Sequence, residues 1–470
     1  MSALGQKQTF CGARAVSALP PKADILRCNR RVGLRVIAFL AWPYNENHNF
    51  ARFESTGADD RMDDRNNRRV LIAGAGPVGL LIAYLLGCRG VPVRVFERNR
   101  ELLDDPRAAT THPATLDLLA EVGLVEDMTQ LGLVAPIFQF WDRPTGELIA
   151  EFNHAVLASD TLHPFVIQCE QFKTSHLLLD RLKTARSVEV MFSHEVIDVV
   201  QSDEGVTISV RGPDGIRDHA GLYLVGADGG RSIVRKQSEI PFEGFTWPER
   251  FIVLTTTYDF ERQRGCCYRS YFADPHEWCN CFKVSADGPP GLWRTVFPTD
   301  PAVAEETLMS DPAVQARLQS FFPTEQPYDI VHRNLYVTHQ RVAQSFRKGR
   351  VLLAGDAAHV NNPVGGLGLN GGIQDAFNLA EKLLKVLDGA PERLLNLYDL
   401  QRRTVTCEFV QEQSIANKKR LEAQDPEKRQ HNFSELRQIA ADPTQARQFL
   451  LRSSMIAMQR RAAAIEPAAS

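Results

Sequence analysis

The first strongly patterned stretch of the chain is the apolar run Val70-Leu71-Ile72-Ala73, which predicts a buried parallel strand. Pro77 to Leu86 predicts a helix, and Val91 to Glu97 a second strand in which Val91, Val93 and Val95 alternate. Helices are expected from Pro113 to Val122 and from Phe172 to Leu182, the latter with Leu177, Leu178, Leu179 and Leu182 on its apolar face. Strand patterns dominate Glu189 to Val225, around the turn Gly212-Pro213-Asp214-Gly215. They dominate again from Phe251 to Phe297, a span rich in Tyr, Phe, Trp and Thr that predicts antiparallel strands. Arg350 to Gly355 returns to a buried strand, a Gly-rich loop follows, and a long helix runs from about Gly371 to Leu387. Asp399 to about Ala464 is helical in pattern.

The segment before Arg69 is different. It mixes Pro, Asn, Ser and Arg without sustained periodicity and ends near the charge run Asp59-Asp60-Arg61-Met62-Asp63-Asp64-Arg65. Residues 1–66 are therefore expected to be disordered or a non-native N-terminal extension. Several Arg and a single acid, Asp24, in the first 45 residues weakly imitate a transit peptide. The simpler reading starts the protein at Met62, about eight residues before the first strand.

A chain of 470 residues accommodates two sizeable domains, or one large α/β domain with an inserted lobe. A formal net charge of −3 argues against a nucleic-acid partner, which would call for a basic excess. Nine scattered cysteines are not a secreted disulfide framework, and the one-residue gap between Cys279 and Cys281 matches no zinc spacing. No metal is expected, and the implied compartment is the reducing cytoplasm. No stretch approaches the roughly 20 apolar residues of a membrane span.

Chemistry enters at Gly74-Ala75-Gly76-Pro77-Val78-Gly79, a G-x-G-x-x-G loop between strand and helix. Gly74 permits the tight turn, Gly76 lets backbone approach a pyrophosphate, and Gly79 lets the helix pack closely on the sheet. The helix N-terminus offers unpaired N–H groups to phosphate, and Pro77 fits its first turn. Glu97 closes the next strand, where an acid accepts hydrogen bonds from an adenosine ribose, with Arg98 beside it. The loop does not by itself distinguish FAD from NAD. A second loop, from Gly355-Asp356 to Gly371-Gly372, is flanked by Gly349, so that seven glycines fall between 349 and 372. That density implies close approach to a ligand. A carboxylate at a strand end can bind a polyol hydroxyl, and the following helix N-terminus can stabilise negative charge on a reduced flavin.

With a third motif between them, Gly226-Ala227-Asp228-Gly229-Gly230-Arg231, these loops resemble the class A flavoprotein monooxygenases. That group contains para-hydroxybenzoate hydroxylase and phenol hydroxylase. It carries a dinucleotide loop, a D-G motif and a G-D motif in this order. The likeness covers roughly Arg69 to Leu400. It implies an α/β fold with a Rossmann-type FAD-binding domain, an inserted β-sheet substrate domain and a helical C-terminal tail. The implied boundaries are 67–240 and 346–400 for the FAD-binding domain, 241–345 for the substrate sheet and 401–470 for the helical region. By the same resemblance, Gly74, Gly76, Pro77, Gly79, Glu97 and Arg98 would hold the ADP half of FAD. Arg107 and Gln171 would lie near the pyrophosphate and flavin chain, and Asp228 behind the loops. Asp356 would bind the ribityl chain, while Gly366, Gly368, Leu369 and Asn370 would edge the isoalloxazine. Asn362, where a proline is frequent, and Ser175, in place of a frequent glutamate, depart from the family pattern.

The implied activity is hydroxylation of a small aromatic or conjugated substrate with NADH or NADPH and O2, through a C4a-hydroperoxyflavin. Water must be kept from the flavin, and the aromatic-rich span Phe251 to Phe297 is the expected cover. A base facing a phenolic substrate would help. Tyr268, Tyr271, His276 and His339 lie in suitable segments; Tyr271 is favoured on location alone, and no catalytic residue is assigned. His359, beside Asp356, reads as a structural cap. A halogenase is disfavoured because no tryptophan pair forms W-x-W-x-I-P. A reductase or dehydrogenase of the same fold, and a non-catalytic flavin-binding module, stay open, as does a homodimer.

Overall fold

The computed structural model describes residues 69–466. The expected N-terminal extension, 1–66, lies outside them. Val70–Ala73 is buried at all four positions because it has parallel neighbours on both sides, Val93–Glu97 and Tyr223–Gly226. Val188–Phe192 and Val351–Leu353 extend this parallel sheet outward, and Arg347–Lys348 closes one edge antiparallel. Pro92 shortens the second strand, which starts at Val93 rather than Val91. The helix Pro77–Gly87 packs against Gln171–Leu182 and against the 20-residue helix Gly368–Leu387.

The chain leaves the parallel sheet after Gly226 and re-enters it at Val351. The residues between supply five of the eight strands of a second sheet. Its order is His359–Val360, Ile330–Ala343, Phe242–Thr256, Leu292–Thr299, Cys279–Val284, Arg269–Ala273, Ile137–Asp142 and Glu147–Asn153. The expected antiparallel pairing holds across Phe242–Thr256, Leu292–Thr299, Cys279–Val284 and Arg269–Ala273. Arg269–Ala273 then pairs parallel with Ile137–Asp142, one strand of a hairpin contributed from far upstream. A separate three-stranded meander carries the anticipated tight turn, with Gly212 opposite Gly215 and Gly215 at φ +104°.

The two faces of the large sheet are covered differently. One packs Trp293, Phe297 and Phe272 against Phe321 and Leu318 of the helix Asp311–Phe321. The other packs Phe138, Phe152 and Tyr271 against the C-terminal helices through Leu421, Phe449 and Leu450. Those helices begin with Arg393–Val405, which runs through a π-helical turn, Thr406–Gln411, into Glu412–Leu421. No described helix is long and apolar enough to cross a membrane.

Candidate active site

The three glycine-and-acid turns converge at the C-terminal ends of adjacent parallel strands, where α/β sheets bind ligands. Gly74 stands at φ +100°, and a Cβ there would lie 2.4 Å from the Ala227 carbonyl oxygen, so the D-G segment sits directly behind the first loop. At Gly79 a Cβ would lie 2.0 Å from the Gly74 carbonyl oxygen, which locks helix to loop. Gly76 is the opposite case: nothing lies within 4 Å of its Cβ position, leaving the backbone open on that side. A tight turn with one open glycine at a helix N-terminus is the cradle a pyrophosphate needs.

Glu97 closes the second strand and turns its carboxylate back onto the loop. Oε2 accepts from the Ala75 N–H at 2.9 Å, and Oε1 accepts from the Asn99 N–H and side-chain amide at 3.0 and 2.7 Å. Arg98 and Arg107 are exposed, the latter paired with Asp105 at 2.8 Å. Gln171 opens its helix, and its N–H donates to the Ala108 carbonyl at 2.8 Å, joining that helix to the Arg107 segment. Asp228 accepts from the Ile233 and Val234 N–H groups at 2.7 and 3.2 Å, capping the helix Ile233–Gln237. Its second oxygen is buried without a partner, and burial pushes its carboxyl up. Asp356 is solvent-accessible, yet the protein around it pushes its carboxyl up against the opposing charges of His359 and Arg107.

The second loop is held by side chains. The Asn370 carbonyl accepts from the His112 N–H at 2.8 Å, while its amide donates to Thr110 and Gly366 carbonyls at 2.8 and 2.7 Å. With its side chain so committed, Asn370 offers a ligand its backbone. Gly366, at φ +68°, approaches Thr110, and Gly368 and Leu369 start the long helix.

Beneath them lies a fully buried cluster that the sequence did not reveal. Asp375 accepts from Arg402 Nε at 2.7 Å and from the Gly355 N–H at 3.1 Å, and pairs with His359 Nε2 at 2.8 Å. Burial alone would raise the Asp375 carboxyl; the charges and hydrogen bonds of His359 and Arg402 bring it below its ordinary value. Arg402 also donates to the Gly371 carbonyl at 3.2 Å. Asp375 thus holds the turn that carries Asp356 through the Gly355 N–H, and His359 pairs with that same carboxylate.

A pocket opens between the large sheet, the Val364-Gly365 turn of the second loop and the C-terminal helices. Phe138, Phe140, Phe449 and Leu421 give it apolar walls, and Arg269 and Tyr271 are its polar floor. Of the four candidates in the sheet segments, Tyr271 alone reaches it. Tyr268 lies under Lys283, His276 is in an exposed turn, and His339 is exposed and bonded to Thr246. The pocket face continues across the sheet in one row, Arg269, Phe282, Arg294, Thr255 and His332, in register strand to strand. Arg269, Arg294, Thr255, His332 and the neighbouring Asn280 each carry a buried polar atom without a partner. Each such atom costs about 1–3 kcal/mol unless a ligand or water meets it. A face so built beside the second loop fits a polar, planar group such as a flavin with its substrate.

Residues 67–413 match the family model described as "FAD binding domain". The chain belongs to the class A flavoprotein aromatic monooxygenases. It is 36% identical over 390 residues to the para-nitrophenol 4-monooxygenase of Pseudomonas sp. (strain WBC-3), covering 81% of this chain and 94% of that one. It is 35% identical over 361 residues to the 6-hydroxy-3-succinoylpyridine 3-monooxygenase of Pseudomonas putida (strain DSM 28022 / S16), covering 76% and 90%. The crystal structure of p-nitrophenol 4-monooxygenase from Pseudomonas putida DLL-E4 superposes with a TM-score of 0.78 at 34% identity, over 82% of this chain and 97% of that one. The protein is an FAD-dependent oxidoreductase that hydroxylates aromatic rings, and NAD(P)H is the reductant typical of its class. The α/β fold, with its parallel sheet, antiparallel-rich substrate sheet and C-terminal helices, agrees with that expected from the resemblance.

Proposed function

We propose that the Phe138–Phe140–Phe449 pocket holds a small aromatic ring while the three loops hold FAD. Gly74, Gly76, Pro77, Gly79, Glu97 and Arg98 take the ADP half; Arg107, Gln171 and Asp356 take the chain between. Gly366, Gly368, Leu369 and Asn370 present backbone to the ring edge, and Asp228 braces the first loop from behind. Residues 67–240 and 346–400 act as the cofactor domain, 241–345 as the core of the substrate sheet and 401–470 as its helical cover. The observation that carries this reading is that Val364 and Gly365 belong both to the pocket wall and to the second loop. Substrate and flavin ring are thereby brought to opposite sides of one turn.

When bound, FAD accepts a hydride from NAD(P)H and activates O2; one oxygen enters the ring and the other leaves as water. The chain's part is to orient the ring and exclude water. Aromatic walls and the Leu421 and Phe449 helices do the second, and Tyr271, with its hydroxyl 3.1 Å from Arg269, serves the first. The named substrates of the two relatives, a nitrophenol and a hydroxypyridine, support a hydroxyl-bearing ring. The seven described cysteines are all free, which supports a cytoplasmic enzyme. The test is a panel of phenols, aryl carboxylates and hydroxypyridines given to the FAD-loaded protein with NADH or NADPH. Stimulated NAD(P)H oxidation with a product one oxygen heavier is expected. Oxidation yielding only hydrogen peroxide with every ring would sink the reading.

A further inference from the structure

Asn362 departs from the family pattern: it stands where a proline is frequent, just before Pro363, in the loop that turns past the pocket. It is fully buried, and its side chain serves the loop. Oδ1 accepts from the Val364 N–H at 3.1 Å, and Nδ2 donates to Gln340 Oε1 at 3.1 Å. The Asn362 backbone N–H donates to the same oxygen at 3.2 Å. Gln340 is 3% exposed, near the end of the strand Ile330–Ala343. Its Oε1 also accepts from Trp247 Nε1 at 3.2 Å, while its Nε2 donates to Gln411 Oε1 at 2.7 Å and to Ser414 Oγ at 2.9 Å. Gln411 is the last residue of the π turn Thr406–Gln411, and its Nε2 donates to the Val360 carbonyl at 3.1 Å.

Three side-chain amides therefore form one chain that begins and ends on the second loop, from the Val360 carbonyl through Gln411, Gln340 and Asn362 to the Val364 N–H. Its direction is fixed at both ends. A backbone carbonyl only accepts and a backbone N–H only donates, so no amide can flip without setting like groups face to face. Trp247 Nε1, a donor alone, pins the middle amide in the same sense. A buried polar network satisfied in this way specifies one arrangement.

The placement gives the chain its use. Val364 and Gly365 line the ring pocket, and just beyond them Asn370 donates to the Gly366 carbonyl at 2.7 Å. The loop is thus gripped at 360, 362, 364 and 366. Gln413 and Asn417, on the helix Glu412–Leu421 that continues from Gln411, line the same pocket. A proline at 362 would stiffen one residue; the amides tie the loop to the sheet and to the helical cover together.

We propose that Asn362, Gln340 and Gln411 are positioning residues that act as one relay. The relay sets the Val364–Gly365 turn against the flavin ring and so decides how much of the consumed NAD(P)H yields hydroxylated ring rather than hydrogen peroxide. The proposal rests on the reading that this turn separates the ring pocket from the flavin. With the relay intact, NAD(P)H, a proton, O2 and the ring give NAD(P)+, water and the hydroxylated ring. With it cut, the ring still enters its apolar slot out of line, and NAD(P)H, a proton and O2 give NAD(P)+ and hydrogen peroxide. A misplacement of about 1 Å is enough to favour the second course.

The test uses the full-length, FAD-loaded protein and two readouts. Visible-region circular dichroism of the bound FAD reports the surroundings of its ring with no substrate present. Hydrogen peroxide released per NAD(P)H consumed, with 4-nitrophenol and 4-hydroxybenzoate as probes, reports the fate of the oxygen. Asn362→Ala and Gln411→Ala each remove one link to Gln340. Each is expected to alter the dichroism band and to raise the peroxide ratio about threefold or more, with KM for the ring within about threefold. The double variant is expected to match the worse single one on both readouts, because a chain cut twice opens no further. Two independent folding roles would instead give effects that add, and additive effects overturn the proposal. So do variants that keep their FAD with an unaltered band, and variants whose KM rises while the peroxide ratio stays put. Should Asn362→Ala fail to fold, Gln411→Ala, at a half-buried position, decides: an unaltered band and peroxide ratio overturn the proposal equally. A wild type that oxygenates no phenol, aryl carboxylate or hydroxypyridine counts against the pocket as the hydroxylation site. The dichroism still decides the relay, so the two failures are distinct.

Discussion

The two ends of the cofactor cleft are built on opposite principles. The end proposed for the dinucleotide is made of backbone: Gly74, Gly76 and Gly79 shape it, and Glu97 braces it through the Ala75 N–H. The pocket proposed for the substrate is made of side chains from three distant stretches of chain, namely Phe138 and Phe140, Arg269 and Tyr271, and Leu421 and Phe449. At Gly74 and Gly79 any Cβ collides with another peptide, whereas at Gly76 it would stand where the backbone is open to a ligand. Side-chain sites tolerate exchange as long as volume and charge are met, which lets one fold serve many rings.

The comparison breaks most severely at the joint between the two ends. Asp375→Asn leaves Arg402 and His359 buried without their acid and should lower unfolding free energy by about 3–5 kcal/mol. The native Asp375 carboxyl is held below its ordinary value, so its contribution is present above that value and is lost as pH falls through the folded one. Urea midpoints measured from pH 7 downward should therefore draw together for wild type and variant as pH falls below the ordinary carboxylate range; parallel curves would refute the pairing.

Next come the paired glycines. Gly79→Ala places a methyl against the Gly74 carbonyl and should cost about 1–3 kcal/mol together with FAD. Gly76→Val places its Cβ where no protein atom lies within 4 Å, so the apoprotein should melt within about 1 °C of wild type for a change under ~0.5 kcal/mol while FAD occupancy collapses. Equal melting losses for the two would mean the backbone is not what shapes this end.

At the other end, Phe449→Ala removes a ring stacked 4.7 Å from Phe152 and 6.4 Å from Phe138. The half-buried position should cost about 1–2 kcal/mol. FAD content should be unchanged, and bicyclic phenols should gain affinity over single rings. Lost FAD with unaltered ring preference would reverse the assignment of the two ends. The smallest stability effect is expected at Asp356→Asn. Its carboxyl is held above the ordinary value, so the ionised form is the disfavoured one, and the apoprotein should melt at or slightly above the wild-type temperature near pH 7. FAD affinity should nevertheless fall about tenfold, as one hydrogen bond to a charged group warrants.

The contrast also explains how much the sequence disclosed. Contiguous glycines and a strand-end acid are local, so the loops at 74–79, 226–231 and 355–372 were legible together with the parallel strands that carry them. The pocket was not, because its walls come from residues more than 300 positions apart and its sheet borrows Ile137–Asp142 from outside the aromatic-rich span. One clue was available. In Arg269-Ser270-Tyr271-Phe272-Ala273 a charged residue shares a strand face with a buried tyrosine, an alternation that placed an arginine inward. The Asp375 cluster had no such sign, since Asp375 sits in an amphipathic helix pattern that gives no hint of what faces it. Two cofactor residues named from sequence, Asp228 and Asn370, prove to have their side chains committed to the protein's own backbone.

The path from Arg393 to Leu421 is a single helical rod with a π turn at Thr406–Gln411. A π turn is one residue wider than an α turn, so it acts as a phase shifter: Arg402 before it and Asn417 and Leu421 after it are set at an angle that an ordinary helix would not give. Deleting one residue there would let the rod close into regular α-helix and rotate its distal half by roughly 100°. The flavin-side anchor would keep its bearing while the pocket roof turned away, which makes this short turn the hinge pin on which the register of the two ends depends.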